Sequence, residues 1–199
     1  MNIQTVLKNF SNRGFNIEYF ETAEEAICFI NDIIPKGSVV GFGGSQTVAD
    51  INLLENLPER TLLHKSICPD VNPDELMARM HSADWYVCSA NALSATGDII
   101  NIDGRGNRVA ETIYGPKNVL IIAGMNKITD DIQSGIERVR NVASPKNCVR
   151  LNKKTPCAIT GKCSYCNSYD TICKATVILH HPTTGKNVVI ALINKNLGF

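Results

Sequence analysis

Residues 37–51 read GSVVGFGGSQTVADI and give the clearest indication of the fold class. A short apolar run over 37–42 ends in Gly41-Phe42-Gly43-Gly44-Ser45. Val48 and Ile51 then follow at the spacing of a helix face. The order predicts a buried strand, a tight loop and a helix, which is the repeating unit of an α/β protein.

The same alternation extends on both sides of this stretch. Upstream, Thr22 and Glu25 have the spacing of a capping box and predict a helix start. Downstream, Asn72 and Pro73 predict another one, with Pro73 at the first helical position. Strands that alternate with helices predict an α/β fold with a largely parallel sheet and helices on both faces. Ligands of such sheets bind outside the carboxyl ends of the strands.

The C-terminal part of the chain departs from this pattern. Residues 155–173 have little apolar periodicity and form a predicted cysteine-rich loop. Two apolar runs, 175–179 and 188–193, then predict a final strand pair joined across the turn at 181–186. No repeat or linker divides the sequence, so we expect one domain over residues 1–199 with the loop 155–173 inserted before the last two strands.

Composition and charge narrow the classes of function. The 199 residues are 44% hydrophobic and 20% charged, with a net charge of +1, as in an ordinary globular protein. No basic stripe interleaved with aromatic residues indicates a nucleic-acid partner. No unbroken apolar run predicts a signal peptide or a membrane span. We therefore expect a cytoplasmic protein with small ligands or protein partners and with reduced thiols.

The first candidate site is the glycine-rich loop of the opening stretch. Its glycines allow a ligand to approach the backbone closely, and its hydroxyls and free N–H groups lie at a predicted helix start. Such a loop suits a phosphate, a carboxylate or a coenzyme A pyrophosphate. The alternative is a tight turn that needs positive φ, with Ser45 only capping the helix. The candidate ligand-binding residues here are Gly41, Gly43, Gly44, Ser45 and Thr47.

Polar residues also collect at two later strand ends. Asparagine, aspartate and arginine beside glycines can direct donors and acceptors at one bound molecule, although such residues also satisfy local backbone groups in solvated turns. The candidates are Asn91, Asp98, Asn101, Asp103, Gly104, Arg105, Asn107, Arg108, Asn126 and Lys127. The sequence contains no Gly-x-Ser-x-Gly elbow and no metalloprotease histidine spacing, so it identifies no catalytic residue.

Four cysteines within residues 155–173 have the spacing of metal ligands. Cys157, Cys163, Cys166 and Cys173 form the pattern C-x5-C-x2-C-x6-C, and four thiolates can complete a zinc site or hold an iron-sulfur cluster. Unligated packed thiols and disulfides are the alternatives, and a reducing compartment disfavours the disulfides. The other cysteines have no partner at ligand spacing: Cys28 and Cys88 are expected in the core, and Cys68 and Cys148 can be exposed.

Several motifs resemble the lactate-utilization (LUD-domain) family. They are Gly41-Phe42-Gly43-Gly44-Ser45, Ser89-Ala90-Asn91-Ala92, the segment from Thr96 to Gly104, Gly106 to Ala110, Ala123 to Lys127, and the C-terminal cysteines. The resemblance implies a fold akin to the sugar-phosphate isomerase and coenzyme A transferase superfamily. It also implies a role in oxidising lactate to pyruvate through iron-sulfur proteins, and this favours an iron-sulfur cluster over zinc.

A more distant resemblance, to methylthioribose-phosphate isomerases, places the catalytic acid of those enzymes at Asn91. Since an amide cannot transfer a proton as a carboxylic acid does, that chemistry is disfavoured. The preferred hypothesis is a component of a lactate-oxidising system that holds a small anion at the loops and has other lactate-utilization proteins as partners. The alternatives are a transferase or isomerase with structural zinc and a non-catalytic binding or regulatory domain of the same fold.

Overall fold

The computed structural model describes residues 2–199. The helices are α1 Ile3–Asn12, α2 Ala23–Ile33, α3 Gln46–Asp50, α4 Pro73–His81, α5 Asn107–Ile113, α6 Ile132–Arg138, α7 Ser144–Arg150 and α8 Pro156–Thr160. The strands are β1 Asn16–Phe20, β2 Val39–Phe42, β3 Thr61–Leu63, β4 Trp85–Cys88, β5 Ala92–Ser94, β6 Ile99–Asp103, β7 Asn118–Gly124, β8 Ile128–Thr129, β9 Ala175–Leu179 and β10 Asn187–Ile193. Short 3-10 turns cover Leu53–Asn56 and Met125–Lys127, and a π turn covers Val139–Ala143.

The main sheet has six strands, all parallel, in the order β1-β10-β7-β4-β2-β3. Alternate residues of each central strand enter opposite cores: Leu120 and Ile122 of β7 face one side, and Val119 and Ile121 face the other. A strand that is buried on both faces needs an almost continuous apolar run, which is what β7 and β10 contain. The predicted α/β fold with a parallel sheet is therefore confirmed.

Helices cover both faces of this sheet. Ala26 and Ile30 of α2 and Val48 of α3 pack on one face. Val6 and Phe10 of α1 pack on the other. The capping box predicted at the start of α2 is present, with Thr22 accepting from the Glu25 N–H and Glu25 accepting from the Thr22 N–H.

A second, four-stranded sheet in the order β8-β5-β6-β9 was not predicted. It packs through Leu93, Ile99 and Leu179 onto the face that carries α1. The predicted pairing of the last two strands is wrong, because β9 runs antiparallel to β6 while β10 lies between β1 and β7. The physical reason is burial: β10 is apolar throughout and needs two covered faces, whereas the partly exposed β9 suits a sheet edge.

One helix boundary also differs from the prediction. The helix after the glycine loop ends at Asp50, before Ile51, since Asn52 adopts a left-handed φ of 49°. Helix α6 continues through the π turn into α7, where Pro145 lies in the first turn and needs no N–H partner. None of the helices within residues 2–199 has the length and hydrophobicity required to cross a bilayer.

Candidate functional site

A cleft opens at the carboxyl ends of the neighbouring strands β2, β4 and β7. Since these strands are parallel and adjacent, the residues that follow them meet at one edge of the sheet. Thr47 follows β2, Ser89 follows β4 and Lys127 follows β7, and together they line the floor. The cavity has a volume of about 630 Å³, within the range of small-molecule sites. We call it the basic cleft.

Lys127 is the central residue of the floor. Its side chain is almost completely buried, with 3% exposure. The Nζ atom donates hydrogen bonds to Thr47 Oγ1 at 2.8 Å, to Ser89 Oγ at 2.8 Å and to the Ala90 carbonyl at 3.1 Å. A buried ammonium normally has a carboxylate partner, because desolvation of the charge is costly. Here the amine contacts only neutral oxygens.

This environment determines the protonation states of the ionisable groups on the floor. Burial, together with the nearby charges of Arg138 and Arg108, lowers the pKa of Lys127 to about 7. A large fraction of the amine is therefore neutral at neutral pH. Cys88 also lines the cleft, but burial raises the pKa of its thiol to about 12, so it is not a thiolate nucleophile there.

Arg108 forms one side of the floor and is held in place by Asp103 and Asn91. Its guanidinium pairs with the Asp103 carboxylate, and Nη1 donates to the Ser89 carbonyl at 3.0 Å. Nη2 donates to Asn91 Oδ1 at 2.7 Å. Asn91 Oδ1 also accepts from the Ile102 N–H at 2.9 Å. The amide thus orients a cation, which is a positioning task and not the proton transfer of an isomerase acid.

The glycine loop has a structural explanation at three of its small residues. Ser45 caps α3 by accepting from the Val48 N–H at 3.3 Å. Gly41 lies against α4, where a Cβ would lie 3.1 Å from Met80. A Cβ at Gly43 would lie 2.6 Å from Tyr86 Oη. Positive φ, the alternative suggested by the sequence, occurs at none of the three glycines 41, 43 and 44, so close packing and not turn geometry requires Gly41 and Gly43.

Most of the predicted ligand residues line the basic cleft. They are Gly43, Gly44, Ser45, Thr47, Asn91, Asp103, Gly104, Arg105, Asn107, Arg108 and Lys127. Gly41, Asp98, Asn101 and Asn126 do not line it. Asn101 accepts from the Asn91 N–H at 3.0 Å and so supports the floor from behind. Asn126 holds the C-terminal segment through Leu197, whose N–H donates to its side chain at 3.1 Å.

Asp98 belongs to a separate buried network on the far side of the small sheet. Its carboxylate has 0% exposure and accepts from Thr96 and Ser94, at 2.6 and 2.7 Å. It also contacts His180 Nδ1 at 2.7 Å and Arg13 Nη1 at 2.9 Å. Burial opposes ionisation, but these hydrogen bonds and the Arg13 charge outweigh it and lower the pKa of Asp98. His180 is therefore a structural partner of this carboxylate.

Charge segregation is the signal that the sequence reading missed. The cleft lining contains Lys65, Arg105, Arg108, Lys127, Arg150, Lys153 and Lys174. Among the described lining residues the one acidic side chain is Asp103, which Arg108 neutralises. Residues 138–174 contain eight lysines and arginines but only one acid, Asp170, although the whole chain has a net charge of +1. The excess of lysine and arginine over residues 138–174 is visible in the sequence and indicates this basic lining.

The predicted metal ligands line a second cavity of about 230 Å³, which we call the cysteine cavity. Cys157, Cys163, Cys166 and Cys173 all face it. Cys148 joins them from α7 with 1% exposure, although its place in the sequence suggested no partner. Burial raises the pKa of the Cys148 thiol.

The donor set of the cysteine cavity fits a thiolate-bound metal or cluster, since soft thiolates select zinc, copper(I) or iron-sulfur centres. The loop is nevertheless open: within residues 2–199 no three histidine, cysteine, aspartate or glutamate side chains converge closely enough to hold a metal ion. The expectation of Cys88 in the core is confirmed, whereas Cys28 is exposed and that expectation is wrong. Cys148 is buried, and Cys68 is only partly exposed.

The basic cleft and the cysteine cavity share a wall. Thr171 lines both cavities. A Cβ at Gly104 of the cleft would lie 3.1 Å from the Ile172 Cα, and the Lys174 N–H donates to the Asp103 carbonyl at 3.1 Å. The cysteine segment therefore forms part of the wall of the basic cleft.

Comparisons with known proteins agree with this architecture. The family model described as the LUD domain matches residues 3–193. A solved DUF162 family protein from Deinococcus radiodurans is similar with a TM-score of 0.56 and 15% identity, over 97% of this chain and 99% of that chain. Ribose 5-phosphate isomerase A from Neisseria gonorrhoeae reaches a TM-score of 0.33 and 18% identity, over 55% and 52% of the two chains, which is too low to support a conclusion. The curated proteins contain no match.

Proposed function

The chain belongs to the lactate-utilization (LUD-domain) family, and we propose that it binds a small anionic metabolite in the basic cleft as a component of a cytoplasmic lactate-oxidising system. The observation that carries the proposal is the Lys127 amine, buried between Thr47 and Ser89 without a carboxylate partner. An anion that enters the cleft would supply the missing negative charge. The proposed domain covers residues 1–199.

The ligand class follows from charge and size. Basic side chains dominate the lining, and the cavity of about 630 Å³ accommodates a short carboxylate, a sugar phosphate or the acyl end of a coenzyme A ester. Arg105 and Lys65 are exposed and lie at the mouth, where they can attract such anions. Arg108 is held rigidly and can present its remaining N–H to an oxygen of the ligand.

We further propose that Cys157, Cys163, Cys166 and Cys173 hold an iron-sulfur cluster, with zinc as the alternative. A cluster would supply one-electron transfer, which the redox setting of the family favours. The support is the gathering of all four thiols at one cavity that shares Thr171 with the basic cleft. Other lactate-utilization proteins are the proposed partners.

A transferase or isomerase is the second candidate, and the contact of Ser89 with Lys127 favours it because a hydroxyl beside a neutral amine can transfer protons. The amide at Asn91 disfavours the chemistry of methylthioribose-phosphate isomerases, because an amide cannot replace their catalytic acid. A non-catalytic binding domain would use the same cleft without turnover.

The anion-binding proposal is tested by thermal shift and calorimetry with lactate, pyruvate, ribose 5-phosphate and acetyl coenzyme A. At least one of them should raise the melting temperature, since a ligand that binds only the native state stabilises it. Lys127→Met should abolish the shift, and Lys8→Met, an exposed lysine on α1 outside the cleft, should keep it. Failure of every anion to bind the wild-type protein would overturn the proposal.

The cluster proposal is tested separately, by anaerobic purification followed by metal analysis and an absorption spectrum. A brown protein that contains iron and sulfide is expected, and the Cys163→Ser/Cys166→Ser double variant should lose both. Cys28→Ser, which removes an exposed thiol far from the cavity, is the control. A colourless protein with stoichiometric zinc would exclude the cluster and leave the anion-binding proposal unaffected.

A further inference from the structure

The Lys127 amine has an environment suited to covalent chemistry. Among the described residues it is the one lysine or arginine side chain that is fully buried. Thr47 Oγ1 and Ser89 Oγ both lie 2.8 Å from Nζ, and both hydroxyls line the basic cleft with it. A lysine that only stabilised the fold would be expected to pair with a buried carboxylate, and no such pair is present at this position within residues 2–199.

The charges around the amine favour its nucleophilic form. Arg138 and Arg108 disfavour the ammonium, whereas the Asp50 and Cys88 groups favour it more weakly than burial opposes it, so that the pKa is about 7. Desolvation and neighbouring cations are the two means by which enzymes activate a lysine as a nucleophile. On the side of the glycine loop a Cβ at Gly44 would meet no atom within 4 Å, whereas on the C-terminal side Gly198 lies against the amine, since a Cβ there would be 3.4 Å from Lys127 Nζ.

The cleft also restricts the electrophile. Arg108 Nη1 donates to the Ser89 carbonyl at 3.0 Å while Lys127 Nζ donates to the Ser89 hydroxyl, so the guanidinium and the amine meet at one residue. A ligand with a carboxylate directly beside a carbonyl can place its carboxylate at the guanidinium and its carbonyl carbon at the amine. Short 2-oxo acids have this arrangement.

We propose that Lys127 forms an imine with the carbonyl carbon of a short 2-oxo acid bound in the basic cleft, an inference that rests on the anion-binding function proposed above. The amine nitrogen attacks the carbonyl carbon, the C–N bond forms, and the carbonyl oxygen takes a proton to give the carbinolamine. Loss of that hydroxyl as water, with the second proton from nitrogen, gives the imine. Ser89 and Thr47 are placed to carry these protons, and no oxidant or reductant is consumed.

Borohydride trapping with pyruvate tests the inference. The protein is incubated with pyruvate, reduced, digested and analysed by mass spectrometry. One reduced pyruvate adduct is expected on the peptide that contains Lys127. The adduct should be absent in Lys127→Met and present in Lys8→Met, and in Ser89→Ala its rate of formation should fall on the order of 100-fold. Circular dichroism verifies that each variant is folded.

The outcomes separate the inference from the function on which it rests. Pyruvate binding by calorimetry without an adduct at Lys127 overturns the imine and leaves the anion-binding function standing. Binding of another anion but not of pyruvate likewise overturns the imine and leaves the anion-binding function standing. Adducts spread over exposed lysines, with no preference for Lys127, also overturn the imine. Absence of binding by every anion overturns both.

Discussion

The backbone N–H of Lys174 donates to the carbonyl oxygen of Asp103 at 3.1 Å, and this contact joins the two candidate sites. Asp103 holds Arg108 in the basic cleft, while Lys174 directly follows Cys173 of the cysteine cavity. The register of β6 against β9, in which Asp103 faces Ala175, fixes the contact. The cysteine segment is thereby hydrogen-bonded to one wall of the cleft.

Loss of the cysteine ligands is therefore expected to weaken anion binding. In Cys163→Ser/Cys166→Ser, the dissociation constant of the anion that binds the wild-type protein should rise about 5-fold or more, a modest coupling between sites. Calorimetry on the metal-loaded wild type, the double variant and Cys28→Ser measures it. Equal affinities in all three would show that the shared wall does not couple the sites.

The buried amine of Lys127 should be visible in the pH dependence of stability. Its pKa of about 7 in the folded state lies below the ordinary 10.5 of an unfolded lysine. The unfolded chain therefore binds more protons between pH 7 and 10.5, and the free energy of unfolding rises with pH over that window. In chemical denaturation, the free energy of unfolding of the wild type minus that of Lys127→Met should increase toward alkaline pH. A difference that is constant from pH 7 to 10 would mean that the amine is not perturbed.

The network around Asp98 should control acid stability. Asp98→Asn is expected to lower the free energy of unfolding by about 3–5 kcal/mol, because Arg13 and His180 lose a buried charged partner. Since the folded pKa of Asp98 is lowered, its contribution is present above the unfolded pKa and is lost as the pH falls through the folded pKa. Urea denaturation from pH 7 down to pH 3 measures this, with the exposed Asp70→Asn as control. Equal losses in the two variants would contradict the assignment.

Alanine substitutions at two neighbouring glycines should have very different effects on stability. Gly43→Ala should destabilise the protein by about 1–3 kcal/mol, because the new Cβ would lie 2.6 Å from Tyr86 Oη. Gly44→Ala, where nothing lies within 4 Å, should be close to neutral. Tyr86→Phe should partly rescue Gly43→Ala, since the phenolic oxygen is buried without a hydrogen-bond partner among the described residues. Equal melting temperatures for the two alanine variants would refute this packing role.

The position of Asn91 predicts the effect of restoring an acid there. Asn91→Asp keeps the acceptor oxygen that binds Arg108 and the Ile102 N–H, so the fold should be retained. The added negative charge in the cleft should raise the dissociation constant for an anion about 5- to 10-fold, as one unfavourable charge contact of about 1 kcal/mol predicts. Calorimetry at low salt measures it, and an unchanged dissociation constant would show that Asn91 does not face the ligand.

Local sequence signals were sufficient to predict the fold class and the position of the cleft. The capping box at Thr22 and Glu25, the apolar runs of β7 and β10, and the glycine loop after β2 predicted the helix starts, the parallel sheet and the edge at which the cleft lies. These features depend on periodicity and on contacts between near neighbours in the chain, which a sequence displays directly. The family followed from motifs of the same local kind.

Contacts between residues that are distant in the sequence could not be predicted and are seen in the three-dimensional structure. Whether β9 and β10 pair with each other, whether Asp98 faces the ligand or Arg13, and whether Cys148 joins the four spaced cysteines all depend on contacts between distant parts of the chain. The same holds for Thr47, Ser89 and Lys127, which three separate strands bring together. Burial at that meeting point sets the protonation of the lysine, because desolvation depends on the surrounding atoms and not on the neighbours in sequence.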